Sequence, residues 1–396
     1  METVEQWIAN NIERKEELVE MRRYLHQNAE VGSNLPITQD YIMKKLSIWG
    51  YHPVMNPGGS IQVIVGKKNK KVLLLRTDMD GLPIAEKTGL PFQSINGNMH
   101  ACGHDLHAAM MLEAARLLKE QEEKLTGQVK IVFQPHEEGL VGCKEMIEDG
   151  ILEHPHVDAA IGLHVLLGTN DKTGNIRTIK REMTASSTIF EIVIEGKRAH
   201  GSMPEDRIDA LRVGVHLYQT LQELIPKEIP MHHANVLTIG ILKAGTAHNI
   251  IPDHAYMKCS LRCFKDEDQG YLMKRIYNLT KGIAGLYDAK AEIKILQEAP
   301  CVYNDPDFVD QIIFLENKLF ENGLQYMKTP LSVSEDFAHI CKRVPSMFVT
   351  VSCGRVADGY SYGHHNESAV FDEDSMMYGT YFLYTSALQW LQFQNM

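Results

Sequence analysis

His100-Ala101-Cys102-Gly103-His104-Asp105-Leu106-His107 puts a thiol, a carboxylate and three imidazoles into one short stretch. Cys102 and His104 stand two apart across a glycine, so in turn or extended backbone both can point at one ion. Asp105 then reads as an N-terminal helix residue, because Leu106, Ala109, Met110, Leu112 and Ala115 follow at helical spacing. Thiolate, imidazole and carboxylate donors suit zinc, and also accept manganese, cobalt or nickel. The plainer explanation of this stretch alone is a helix start with polar caps and a buried thiol. The surrounding chain has to decide between the two.

Upstream, Lys71–Thr77 contains the run Val72-Leu73-Leu74-Leu75, apolar without alternation, as for a strand covered on both faces. It leads into Asp78 and Asp80. Downstream, the helix of 105–122 is followed by a strand at 127–134, a helix at 141–149 and the strand Val157–Leu163. The first of these strands leads into Glu137-Glu138, and the second stops at His164. Strand–helix–strand alternation implies an α/β sheet with its sites beyond the carboxyl ends of the strands. Three such ends carry acids or histidine, and a charged pair after a buried strand is costly unless solvated or bound to something. Residues 3–29 predict one long amphipathic helix through Trp7, Ile8, Ile12, Leu18, Met21 and Leu25, and a second helix follows at 38–49, before the strand Ser60–Val65.

From about 183 the pattern changes. Ser187–Glu195, Asn235–Leu242 and Ala255–Phe264 alternate as half-buried strands, with helices at 206–224 and 266–287 and a closing strand at 290–297. This strand–helix–strand–strand–helix–strand order describes a small α+β, ferredoxin-like insert. The helix 306–321, the strand Met347–Val351 and the helix 373–394 then resume the first domain. The expected fold class is α/β: a mixed-sheet α/β/α domain of 1–182 and 298–396, interrupted by the α+β domain of 183–297. Cys259 and Cys263 share one face of a predicted strand with Met257 and Leu261, so they read as packing rather than as a metal pair.

At 396 residues the chain is too long for one ordinary core. A net charge of −11 argues against a nucleic-acid surface, which needs a basic patch. No apolar run approaches the length needed to span a bilayer, and Met1–Gln6 lacks the basic start and apolar run of a signal peptide. Seven scattered cysteines fit a reducing cytoplasm better than a disulfide framework. The expectation is a cytoplasmic protein without nucleic-acid or membrane partners.

Glu137-Glu138 allows a division of labour. Adjacent carboxylates on a loop diverge, so one can hold a metal while the other acts as base towards a water, which hydrolysis requires. In a chain with 51 acids, an ordinary acidic loop is the plainer reading of that pair alone. His364-His365-Asn366 lies in a Gly/Tyr-rich loop. His107, one turn after His104, reads as support for a ligand. His26, His52, His154, His156, His216, His232, His233, His254 and His339 read as surface or structural, and His136 has no assigned role.

Taken together, these motifs resemble the aminoacylase and hippurate-hydrolase branch of the two-metal carboxypeptidase-like amidohydrolases, with plant auxin-conjugate hydrolases as relatives. The resemblance rests on Arg76–Pro83, His100–His107, Gln134–Gly139, Gly162–His164, Ala199–Pro204, Gly245–Pro252, Ser334–Phe337, and His365 with Phe371–Asp374. It covers nearly the whole chain in order. It implies that Cys102, His104, Glu138, His164 and His365 hold one or two divalent ions, zinc or manganese first, with nickel or cobalt as alternatives. It implies Glu137 as general base and later acid, and Asp80 as the aspartate that orients a ligand. The insert would be a lid that supplies His200 for the oxyanion and Asn249 for the carboxylate end of the substrate, and it would make a homodimer contact. The implied reaction is hydrolysis of N-acetyl or N-aroyl L-amino acids. A dipeptidase or aminopeptidase on the same scaffold, and a metal-dependent binding protein without turnover, are the competing readings. Two departures concern the acyl pocket: a histidine at position 136 where the family has a small residue, and the loop Ser352–Gly363, which matches no family pattern.

Overall fold

The apolar run Val72–Leu75 becomes an inner strand of an eight-stranded sheet in the computed structural model, which describes residues 1–68, 70–320 and 323–394. The strands are β1 (Val54–Met55), β2 (Ile61–Gly66), β3 (Val72–Asp78), β4 (Gln128–Gln134), β5 (Ala159–Leu166), β6 (Ile176–Thr178), β7 (Gln325–Tyr326) and β8 (Ser346–Ser352). They lie in the order β1-β2-β4-β3-β5-β8-β6-β7. The four central strands run parallel, with Asp78 opposite Gln134 and Thr350 opposite His164. Their carboxyl ends therefore share one edge. β3, β4 and β8 are buried along their whole length, as strands covered on both faces require.

The helices α2 (His104–Glu120) and α3 (Ser375–Phe393) pack on this sheet and against each other, and α1 (Ile12–Gln27) packs against α2. Every residue of α2 from His104 to Ala115 is buried, so its polar first turn faces into protein rather than solvent. The single helix expected over 3–29 is two, Val4–Asn10 and α1. Asn11 breaks it: its φ of −131° is not helical and its side-chain amide donates to the Trp7 carbonyl at 2.8 Å, a local bond that competes with the helical ladder. The helix expected over 306–321 ends at Glu316, while Leu319 and Phe320 still bury their side chains beyond it. Burial prolongs the apolar pattern past the helix itself.

The chain forms two compact units. The first comprises Met1–Met183, Tyr303–Pro330 and Asp336–Met396; the second comprises Thr184–Val302 and Leu331–Glu335. In the second unit Asn235–Ala244, His254–Cys263, Ser187–Glu195 and Lys290–Ala299 form, in that order, an antiparallel sheet. The helices Ala210–Glu228 and Asp266–Leu286 pack on it over Ile192, Val213, Leu217, Met257, Leu261 and Ile276. Cys259 and Cys263 are buried in this core, and burial pushes both thiols up to about 12. The sequence pattern assigned 331–335 to the first domain. Leu331 instead pairs with Thr184, and the Ala185 amide donates to the carbonyls of Leu331 and Val333, which ties this strip to the second unit.

Glu316 makes this fold pH-sensitive. Its buried carboxyl contacts the Thr385 hydroxyl at 2.6 Å and accepts from the Gln389 amide at 2.7 Å. The Thr385 hydroxyl also lies 2.8 Å from the Tyr381 carbonyl. Its one proton is shared between that carbonyl and Glu316, so the donor to the carboxyl is weak against the cost of burial. Burial pushes this carboxyl up to about 8, so the folded state keeps a proton that the unfolded chain loses near pH 4.5. The stability this proton supplies is full below that value and is lost as pH rises towards 8. Glu316→Gln should therefore gain on the parent protein between pH 5 and 8, by on the order of a few kcal/mol. Urea unfolding of both proteins at the two pH values checks this; a difference that stays constant with pH would show that no proton is retained.

Candidate metal centre

Asp80 organises the edge where the parallel strands end. It is buried just past β3, and its carboxylate accepts from the Glu137 amide at 3.1 Å and from the Glu138 amide at 3.2 Å. The Met79 amide donates to the Gln134 carbonyl at 2.9 Å. The loop after β3 is thus fastened to the loop after β4. That second loop is strained: His136 (φ +57°) and Leu140 (φ +55°) are left-handed, a conformation that costs non-glycine residues about 1–2 kcal/mol each. Gly142 closes the loop where a Cβ would stand 1.9 Å from the Pro135 carbonyl oxygen. His136 also meets the Ser33 hydroxyl through Nδ1 at 3.0 Å.

Glycine is equally required before α2. Gly103 has φ +90°, and a Cβ there would lie 2.5 Å from Val165. This turn brings Cys102 and His104 to the same edge. His104 Nδ1 lies 2.8 Å from the Asp80 backbone carbonyl. A carbonyl only accepts, so Nδ1 carries a proton, and Nε2 is the nitrogen left to face a ligand-binding partner. That Nε2 is buried without a hydrogen-bond partner among the described residues, 3.9 Å from carboxylate oxygens of both Glu137 and Glu138. The same reasoning applies to His164, whose Nδ1 meets the Val165 carbonyl at 2.5 Å while its Nε2 lies 3.4 Å from Cys102 Sγ. His365 Nε2 lies 3.4 Å from Glu138 Oε1, and the His365 amide donates to the Ala101 carbonyl.

Metal-ligand atoms accordingly gather in overlapping groups, each within 4.8 Å: Cys102, His104 and His164; Cys102, Glu138 and His365; His104, Glu137 and Glu138. The five ligand positions and Glu137 fall in one place. The donor set fits a divalent cation, since a buried imidazole lone pair with no proton to accept is expensive unless something electrophilic meets it. Burial and the Glu138 carboxylate push the Cys102 thiol well above its ordinary value, so a cation is what would make it a thiolate. Glu138 is opposed by burial but held below its ordinary value by His365 and His104.

The structure separates histidines that the sequence pairs. His364 Nε2 accepts from the Leu167 amide at 3.0 Å and its Nδ1 meets the Cys102 carbonyl at 3.2 Å, so both nitrogens are spent, and it is its neighbour His365 that turns Nε2 towards Glu138. His26, read from the sequence as surface or structural, is buried against Asp105 (2.8 Å) and Glu86 (3.1 Å), with Arg22 2.7 Å from the same Asp105 oxygen. Sequence reasoning placed Asp78 at a strand end but gave no role to it, to Arg76 or to Gln134. The signal for Arg76 was a charge following the apolar run Val72–Leu75 of β3; Gln134, at the end of β4, gave none. In the second unit, His200 and Asn249 come together where Ala199–His200 pairs with Ile250–Ile251 and the Gly201 amide donates to the Asn249 carbonyl at 2.8 Å. His200 is exposed, and its Nδ1 accepts from the Ser202 amide at 3.2 Å, which leaves the proton on Nε2.

Comparison with known proteins agrees with this chemistry. Residues 74–389 match the model of peptidase family M20/M25/M40. N-acetyl-L-cysteine deacetylase of Bacillus subtilis is 33% identical over 382 residues, covering 94% of this chain and 88% of the relative. Hippurate hydrolase of Campylobacter jejuni is 33% identical over 380 residues, covering 95% and 97%. The crystal structure of the YXEP protein of Bacillus subtilis, described as a dinuclear metal-binding peptidase of the M20 family, superposes with a TM-score of 0.81 at 28% identity, covering 96% and 99%. The resemblance read from the motifs and the mixed α/β fold both hold: the chain belongs to peptidase family M20/M25/M40 and is a metallo-amidohydrolase.

Proposed function

We propose that this enzyme hydrolyses the amide bond of N-acetyl or N-aroyl L-amino acids, releasing a carboxylate and a free amino acid. The observation that carries the reading is the convergence of Cys102, His104, Glu138, His164 and His365 around one edge with Glu137 beside them. The relatives' substrates, an N-acetylated amino acid and hippurate, supply the class. In this reading the five residues hold one or two divalent ions, zinc or manganese first, with nickel or cobalt as alternatives. Such ions supply Lewis acidity, polarising an amide carbonyl and making water more acidic.

The chain's own residues do the rest. Glu137 takes the proton from the attacking water and returns it to the leaving amine nitrogen. Asp80 sets where that carboxylate stands, because it grips the Glu137 and Glu138 amides and, through its own carbonyl, the His104 proton. This enlarges the role read from the sequence, which was to orient one ligand. His200 donates from Nε2 to the developing oxyanion, and Asn249 contacts the carboxylate end of the substrate. The second unit acts as the lid, and it is also the homodimer contact. An edge strand, Asn235–Ala244, with Val236 57% exposed supports the dimer, as do Leu211, Val215 and Tyr218 exposed along one face of Ala210–Glu228. No helix among the described residues is long and apolar enough to cross a membrane. Seven cysteines without disulfides suit a reducing cytoplasm.

Purified protein loaded with zinc or manganese should release amino acid from N-acetyl-methionine and hippurate, lose activity to chelator and regain it with metal. Faster release from dipeptides than from any acyl amino acid would favour the peptidase reading instead. Glu137→Gln should keep its metal content yet lose about 10²–10⁴-fold in kcat; an undiminished kcat would remove the base assignment. Ser202→Ala leaves the amide donor to His200 but removes the hydroxyl 2.7 Å from Nδ1. Its kcat should fall about tenfold, worth ~1.4 kcal/mol, with KM little changed. A change confined to KM would place His200 in substrate binding alone.

A further inference from the structure

His107 and Asp78 lie within metal-ligand distance of His104, yet the hydrogen bonds of His107 commit it elsewhere. The Val165 amide, which can only donate, lies 2.8 Å from His107 Nε2. Nε2 therefore accepts and the ring proton sits on Nδ1, which donates to Asp78 Oδ1 at 2.6 Å. Val165 is also the residue whose carbonyl takes the His164 Nδ1 proton. His107 thus grips, at its amide, the residue that fixes the tautomer of His164. The two rings meet edge to face with centroids 4.5 Å apart, so His107 fixes the orientation of the His164 ring as well as its proton.

The grip is anchored in turn. Asp78 Oδ2 accepts from Arg76 Nη1 at 2.9 Å, and Arg76 Nη2 donates to Asp336 Oδ1 at 2.9 Å. Gln134 accepts from Arg76 Nε at 2.8 Å and donates to Asp336 at 2.7 Å, while the Cys143 amide donates to Asp336 Oδ2 at 2.9 Å. Arg76, Asp78, His107, Gln134 and Asp336 are all at most 1% exposed. Asp336 is the residue at which the chain re-enters the first unit after Leu331–Glu335.

We propose that His107 is a positioning residue: through Val165 it turns His164 so that Nε2 faces the metal centre, and Asp78, Arg76 and Asp336 hold it in register for that task. The inference rests on the metal-centre reading of Cys102, His104 and His164. It concerns a buried polar chain reaching from the return point of the chain to one ligand, rather than any group that touches substrate.

Two conservative substitutions separate this role from a merely structural one. His107→Gln places a carbonyl oxygen where Nε2 stands, keeping an acceptor for the Val165 amide and losing Asp78. His107→Asn places its amide where Nδ1 stands, keeping Asp78 and losing Val165. Zinc affinity of the full-length protein is measured by chelator competition, and the His164 tautomer of the metal-free protein by ¹⁵N NMR. The expected result is affinity within about threefold of the parent for His107→Gln and a loss of about 10–100-fold for His107→Asn, with a His164 signal that shifts only in the latter. Equal affinities and an unchanged His164 signal in the Gln and Asn variants would overturn the proposal. Parent protein that binds no zinc would defeat the reading of the centre itself, which makes the two failures distinguishable.

Discussion

Asp80 is the point on which the candidate site depends. Its backbone carbonyl fixes the proton of His104, and its two carboxylate oxygens fix the amides of Glu137 and Glu138. One residue thereby sets the direction of a ligand lone pair and the placement of the carboxylate assigned as base. Such control is possible because β3 and β4 are parallel neighbours, with Asp78 level with Gln134. Their following loops emerge side by side, close enough for one side chain to bridge them.

The same geometry makes the site costly to build. Two non-glycine residues flanking the glutamate pair sit in left-handed backbone, and His104, Asp78 and Asp105 are fully buried. Isolated buried charges would be prohibitive. The two carboxylates are instead met by cations and donors: Asp105 by Arg22 and His26, Asp78 by Arg76 and the His107 Nδ1 proton. Removing one member of such a pair costs about 3–5 kcal/mol because its partner is left buried and charged. The polar layer behind the candidate metal centre therefore specifies where its side chains point more than it adds net stability. Ligand lone pairs are aimed by bonds that lie one layer further in.

Much of this was legible from local patterns. The unalternating run Val72–Leu75 announces a doubly covered strand, and the helical spacing after Asp105 announces α2, because burial on two faces or on one stripe is written into neighbouring residues. The alternation of Ser187–Glu195 and Ala255–Phe264 likewise reads directly as strands with one face in the core. Element ends were less legible. Asn11 breaks the first helix through its own side chain, and Leu331–Glu335 belongs with the second unit because it pairs with Thr184 and Ala185. That pairing joins residues far apart in the chain, which no local periodicity encodes.

The sequence by itself determined which residue types could bind a cation and at which strand ends they stand: Cys102 and His104 before α2, Glu137 and Glu138 after β4, His164 near the end of β5. These follow from side-chain chemistry and from where apolar runs stop. Tertiary structure decided which of the adjacent histidines turns a nitrogen towards the shared edge. His364 and His107 have both nitrogens spent on backbone and carboxylate partners, whereas His104, His164 and His365 keep Nε2 directed at the shared edge. An imidazole has only two nitrogens, and which one is left over depends on partners supplied by distant strands.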